Sequence, residues 1–135
     1  MTHVIDSNVL IDFLFNQPDT VALLEDLRRR SGLAISVISY MELLEGIAGG
    51  RSSAEANRGF RILLRHTRIL VVSRAIATQA ATIRLELRRQ KRQVNERAMD
   101  ILISATAIEH GLTLVTGNTR GYADIPGLRL YGTQT

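Results

Sequence analysis

The sequence predicts an α/β fold: a three-layer α/β/α domain around a short, mainly parallel central sheet, with residues 1–135 forming one unit. Three observations carry this expectation. Short apolar, β-branched runs alternate with longer stretches of helical periodicity. Apolar residues make up 45% of the chain while aromatics make up 4% and Trp is absent, so the core must be built from Leu, Ile, Val and Ala, as where helices cover a parallel sheet. No linker, low-complexity tract or internal repeat divides the 135 residues, a length that can bury one sizeable core.

The elements follow in order. "HVI" (3–5) reads as a short buried strand, and Val9, Leu10, Phe13 and Leu14 then recur at helical spacing. Pro18, Asp19 and Thr20 open a second helix through Val21, Leu24 and Leu27 that stops at Gly32. "LAISVIS" (33–39) is short and β-branched, hence a strand. From Ser39 the pattern is helical, with Ser39 as N-cap, Glu42 as its capping-box partner and Gly49-Gly50 as the stop. Residues 52–67 read as a helix capped by Ser52 or Ser53, "RILVVS" (68–73) as a third strand, and 75–91 as a long helix carrying Ile76, Ala80, Ile83 and Leu87. "NERAMDILISATAIEHG" is a helix ending at Gly111, and "LTLVT" is a fourth strand. A turn-rich loop, "GNTRGYADIPGL", precedes the short apolar "LRLYG". Such alternation implies right-handed crossovers, with ligands outside the carboxyl ends of the strands.

Composition narrows the chemistry. Without cysteine there is neither a disulfide framework nor a thiolate site, and a metal must be held by oxygen or His. No apolar stretch approaches the roughly 18–20 residues that span a bilayer, and the N-terminus lacks the order of a signal peptide, so a cytoplasmic protein with no membrane association is expected. Lys+Arg total 17 against 13 Asp+Glu, and all but one of the cations are Arg, whose planar fork suits phosphate. Nucleic acid is the partner this favours; an ordinary charged surface is the plainer account.

Asp6 ends the first strand, Glu42 follows the second, Asp100 opens the helix before the fourth strand and Asn118 comes after it. An oxygen-rich set of three carboxylates and a carboxamide suits Mg²⁺ or Mn²⁺, and phosphodiester hydrolysis is the reaction class such a site serves. Each residue also has a plain structural explanation: Asp6 as a helix cap, Glu42 as half of a capping box, Asp100 as part of a surface stripe, Asn118 as a turn residue. Glu45, Glu86 and Glu109 read as solvated charges, and Glu96 as a helix-start acid. His3, His66 and His110 do not form a spaced zinc set, and "GIAGGRSS" lacks the Lys-Ser/Thr ending of a phosphate loop. Arg84, Arg88, Lys91 and Arg92 fall on one helix face and Arg58, Arg61, Arg65 and Arg68 track another; either could hold an RNA backbone or an acidic protein segment.

Together "VIDSNVLIDFL", "SVISYMELLEG" and "ERAMDILISATAIEHGLTLVTGNTRGYADIPGL" resemble the PIN-domain family, specifically the VapC-type toxins of bacterial toxin–antitoxin pairs, over nearly the whole chain. The resemblance implies a compact α/β/α sandwich and Mg²⁺- or Mn²⁺-dependent endoribonuclease activity. It further implies a homodimer silenced by a cognate VapB-type antitoxin, whose tail occupies the groove. Carried over by motif, Asp6, Glu42 and Asp100 match the family's essential acids as catalytic and metal-binding residues. Asn8, Thr116 and Asn118 match supporting polar positions, and Arg84, Arg88 and Arg92 are candidates for RNA or antitoxin binding. One departure stands out: relatives often carry an acid after the Arg of a "TxNxRDF"-like loop, whereas this chain has Gly121, so a second metal is expected to bind weakly. Asp124 reads as a loop residue rather than a replacement for that acid.

Two rivals to the enzyme reading follow. The chain could be a catalytically weak PIN-like module that binds RNA or protein through its Arg faces. It could also be an α/β phosphatase with Asp6 as nucleophile, but such enzymes need a second acid two residues on, where this chain has Asn8.

Overall fold

A computed structural model describes residues 1–47 and 54–132. Five short strands, β1 (His3–Ile5), β2 (Leu33–Ser36), β3 (Thr67–Leu70), β4 (Thr113–Val115) and β5 (Arg129–Leu130), form one sheet in the order β3-β2-β1-β4-β5. Every pairing is parallel. Helices α1 (Ser7–Leu14), α2 (Pro18–Ser31), α3 (Val37–Gly46), α4 (Ala54–Arg65), α5 (Arg74–Arg89) and α6 (Ala98–Glu109) make the connections.

The period-2 alternation of the strands divides the core between two faces. Val4, Ala34 and Leu114 point into one cluster with Ile76, Ile83 and Leu87 of α5 and Ile101 and Ala105 of α6. Their neighbours Ile5, Ile35 and Val115 point into the other, with Leu10 of α1, Leu24 and Leu27 of α2 and Phe60 of α4. The result is the expected three layers, with no polar strand face. Helix α6 is buried almost all round, and its Ser104 and Thr106 hydroxyls donate to the carbonyls of Asp100 and Leu102, each at 2.8 Å.

Local chemistry sets most boundaries where expected. Pro18 opens α2, and Gly32, at φ 80°, closes it in a conformation that β-carbon-bearing residues seldom adopt. β2 and β3 end earlier than the sequence expectation, and α6 starts later, at Ala98 rather than Asn95. β2 ends at Ser36 rather than Ser39, because its partner β3 ends opposite, at Leu70, and because the Ser36 hydroxyl accepts from Ile38 N at 3.0 Å and starts α3 there. Ser36, not Ser39, is therefore the cap, and Ser39 is buried with its hydroxyl unpartnered. β3 stops at Leu70, leaving Val71 and Val72 at the surface. The proposed stop at Gly49-Gly50 and the Ser52 or Ser53 cap lie outside the described residues.

Among the described residues, no helix is long and apolar enough to cross a membrane. The strand order reverses between β1 and β4, and it is at the carboxyl ends of the strands beside such a reversal that open α/β sheets bind their ligands.

Candidate active site

Asp6 stands at that reversal, directly after β1. Its amide donates to Val115 O at 2.9 Å, prolonging the β1–β4 pairing by one residue. The backbone then leaves the strand in extended conformation, so the side chain caps α1: Oδ1 accepts from Ser7 N at 2.8 Å. Oδ2 faces the other way, accepting from Thr116 Oγ1 at 2.8 Å, with Tyr122 Oη 3.2 Å off. Asp6 is both the cap its sequence position allowed and a site residue, because its two oxygens serve different neighbours. Only 5% of it is exposed. Burial pushes its carboxyl above the usual carboxylate range and nearby Asp100 adds to this, against the hydrogen bonds from Thr116, Ser7 and Tyr122.

Asp100 lies in the first turn of α6, where the exposed amides favour an acid. Its Oδ1 is 3.1 Å from the same Tyr122 Oη. Tyr122 is 1% exposed, and burial between two carboxylates drives its hydroxyl far above the ordinary phenol value, so it is a neutral donor with one proton for two acceptors.

Glu42 comes from the middle of α3. Since Ser36 caps that helix, no capping box occupies Glu42, and its Oε1 is buried without a hydrogen-bond partner. Burial raises its carboxyl; Asp6, Asp100 and Glu45 add to the rise, and a hydrogen bond from the Ser7 side chain opposes it. Glu42 thus lies within reach of the charges of Asp6 and Asp100, which come from sequence-distant elements.

The supporting residues close the rim. Asn8 Oδ1 accepts from Gly117 N at 3.3 Å, tying α1 to the loop after β4. Asn118 N donates to Thr116 Oγ1 at 3.1 Å, while its carboxamide oxygen accepts from Gly121 N at 3.3 Å and caps the short 3-10 turn Thr119–Gly121. The carboxamide expected to face a ligand is thus engaged in its own loop. Asp124 is clamped by Arg97, Nη1 to Oδ2 at 3.0 Å and Nη2 to Oδ1 at 2.6 Å, and Arg97 also donates to Gly121 O at 3.1 Å. That guanidinium holds the Asp124 carboxyl below the usual range.

The arginines divide as well. On and after α5, Arg88 is exposed, but Arg84 is half-buried with Nη1 3.4 Å from Val94 O, and Arg92 lies 3.6 Å from Asp124. Arg58, Arg61, Arg65 and Arg68 are exposed, and none forms an ion pair with a described residue. Glu45 is exposed as expected, whereas Glu96 is exposed in a turn before α6 rather than at the helix start; Glu86 pairs with Arg89 and Glu109 accepts from Gln79.

Residues 3–128 match the PIN domain family. The chain belongs to the PIN-domain family. It is 32% identical over 129 residues to the tRNA(fMet)-specific endonuclease VapC of Shigella flexneri, covering 93% of each chain. It is 30% identical over 132 residues to the protein of the same name from Salmonella typhimurium, covering 94% of each. Among solved structures it is similar to VapBC2 from Rickettsia felis bound to a promoter DNA fragment, with a TM-score of 0.84 and 27% identity over 96% of this chain and 97% of that one.

PIN membership makes a divalent cation the group to test against this site. The donors suit one: all are hard oxygens, Glu42 Oε1 is buried and unclaimed, and the Asp6 and Glu42 carboxyls are pushed up by burial and by nearby Asp100. Among the described residues, no three His, Cys, Asp or Glu side chains already stand close enough to form a cation cage, so the acids are gathered rather than closed. The three histidines take no part. Sequence reasoning missed Tyr122, Ser7 and the Arg97–Asp124 clamp. For Tyr122, the available sign is an aromatic residue in an otherwise polar, turn-rich loop.

Proposed function

We propose that this PIN-domain chain is a Mg²⁺- or Mn²⁺-dependent endoribonuclease, the toxin of a VapBC-type pair, cutting RNA phosphodiester bonds and held silent by a cognate VapB-type antitoxin. The observation that carries the reading is the Tyr122 hydroxyl lying 3.2 Å from Asp6 and 3.1 Å from Asp100, which brings these two acids together where the strand order reverses, with Glu42 offering a buried, unpartnered Oε1, in a chain similar to named endonucleases. Asp6 and Asp100 are the direct cation ligands. A cation bound there supplies Lewis-acid activation of water and neutralises charge building on the phosphodiester.

The chain's own groups do the rest. Thr116 and Tyr122 fix Asp6 Oδ2 by hydrogen bonds, and Ser7 N fixes Oδ1, so this carboxylate is held before any substrate arrives. Glu42 Oε1, unpartnered and buried, is the acceptor that orients the attacking water. In-line attack leaves 5′-phosphate and 3′-hydroxyl ends. Arg58, Arg61 and Arg65 along α4 offer the backbone-binding face, more open than Arg84 and Arg92. A homodimer is part of this reading, as is a cytoplasmic setting.

The test is RNA cleavage by the purified chain with Mg²⁺ or Mn²⁺, with chelator, and after Asp100→Asn, alongside growth of a bacterial host expressing each form. Metal-dependent cleavage with 5′-phosphate ends, lost in the variant, supports the reading. Ends bearing 2′,3′-cyclic phosphate would sink it. RNA binding without cleavage would make the chain a binding module instead.

A further inference from the structure

We infer that Tyr122 is a positioning residue for the acidic site, its hydroxyl setting the spacing of Asp6 and Asp100 for a divalent cation; this rests on the metal-dependent reading above. Tyr122 Oη lies 3.2 Å from Asp6 Oδ2 and 3.1 Å from Asp100 Oδ1, so one phenol proton is shared between two carboxylates from opposite parts of the chain. A neutral donor shared in this way draws both acids towards one point and leaves their remaining lone pairs for a cation. Hydrogen bonds of this kind orient metal ligands and typically change metal affinity 10–100-fold when removed.

The hydroxyl is itself held from two sides. Its ring is part of the core cluster with Ile101 and Ile125, and is 1% exposed. Its loop is strapped down by Arg97, which grips Asp124 through both nitrogens and reaches Gly121 O. Arg97 is the residue before α6 and Asp100 lies in that helix's first turn, so one helix start carries both the strap and one of the two acids.

The experiment is calorimetric titration of the full chain with Mn²⁺, for the unsubstituted protein, Tyr122→Phe and Asp100→Asn, with metal-free thermal melts of each. Tyr122→Phe keeps the ring, so a mere packing role leaves the affinity of the folded protein unmoved. A positioning role weakens Mn²⁺ binding by about tenfold, and raising Mn²⁺ by the same factor restores RNA cleavage. Unchanged affinity in Tyr122→Phe, with binding by the unsubstituted chain and loss in Asp100→Asn, overturns this inference and leaves the proposed function standing. Tighter binding also overturns it, since the phenol would then compete with the cation. Failure of the unsubstituted chain to bind Mn²⁺ overturns both. If Tyr122→Phe does not fold, Asp124→Asn loosens the strap and keeps the hydroxyl: a severalfold weaker affinity supports the inference, and an unchanged one overturns it.

Discussion

The Thr116 hydroxyl donates to Asp6 Oδ2 at 2.8 Å, joining two residues 110 positions apart at the carboxyl ends of adjacent strands. The same oxygen of Thr116 accepts from Asn118 N, so one side chain orders both the acid and the loop beside it. Thr116→Val keeps the shape and removes both bonds. The expected loss is about 1.5 kcal/mol, at the low end for a hydrogen bond to a charged group, read by urea unfolding.

Asp100→Asn is expected to reduce RNA cleavage by a factor on the order of 10² or more, as when a group that stabilises transition-state charge is removed. The metal-free variant should unfold no more easily than the parent, because the substitution relieves like-charge repulsion with Asp6 and Glu42. Cleavage assays and melting curves on the same preparations check both halves. An inactive variant that is also badly destabilised would show only a folding defect.

The Arg97–Asp124 pair, 20% exposed at each partner, links stability to pH. Arg97 lowers the Asp124 pKa in the folded state below its reference value of 3.8, so the folded chain releases that proton more readily than the unfolded one. The resulting stabilisation is present above the unfolded value and is lost as pH falls through the folded value. The parent should therefore be more stable than Asp124→Asn at neutral pH, with the gap closing in acid below that reference value. Denaturant melts of both proteins across that range would show it, and a gap independent of pH would contradict it.

Gly121 fits the 3-10 turn because it lacks a side chain. A β-carbon there would lie 2.5 Å from Asn118 Nδ2, forcing away the carboxamide that caps the turn. Gly121→Ala should cost about 1 kcal/mol, the typical net worth of the hydrogen bond lost. Asn118→Ala should cost a similar amount, and the double variant little more than either alone. A fully additive cycle would show that the two residues act independently.

Ser36 and Ser39 give opposite expectations. Ser36→Ala removes the cap of α3 and should cost about 1 kcal/mol, whereas Ser39→Ala removes a buried hydroxyl with no partner and should be neutral or stabilising. Chemical denaturation of the two variants separates them.

This pair also shows where sequence reading ends. "Ser39-x-x-Glu42" is a sound local signature, but Ser36 lies where a strand already paired to Leu70 must stop, and the hydroxyl at that stop takes the cap. Tertiary pairing overrode local pattern. The alternation of apolar runs made four strands and six helices legible, with the fifth strand read only as a short apolar run, and the three acids were legible because each follows or precedes a strand in a recognisable order. Tyr122 was not legible as a site residue. Its hydroxyl matters through two carboxylates 116 and 22 residues away, and no spacing within the loop encodes that. The α5 arginine stripe was legible as a helix face, but Arg92 falls beyond the helix end and pairs with Asp124, a contact only the folded loop creates.

β1 precedes the other four strands in the chain, yet it lies in the middle of the sheet, between β2 and β4. Synthesis from the amino end therefore completes β1 long before its second neighbour, which begins only at Thr113. Until that segment emerges, Asp6 has neither Thr116 nor Tyr122 to hold its outer oxygen, and Asp100 has not met it. The acidic site is therefore among the last parts of the described fold to come together, so a chain whose synthesis stops partway carries Asp6 and Glu42 without the Thr116 and Tyr122 contacts that hold Asp6.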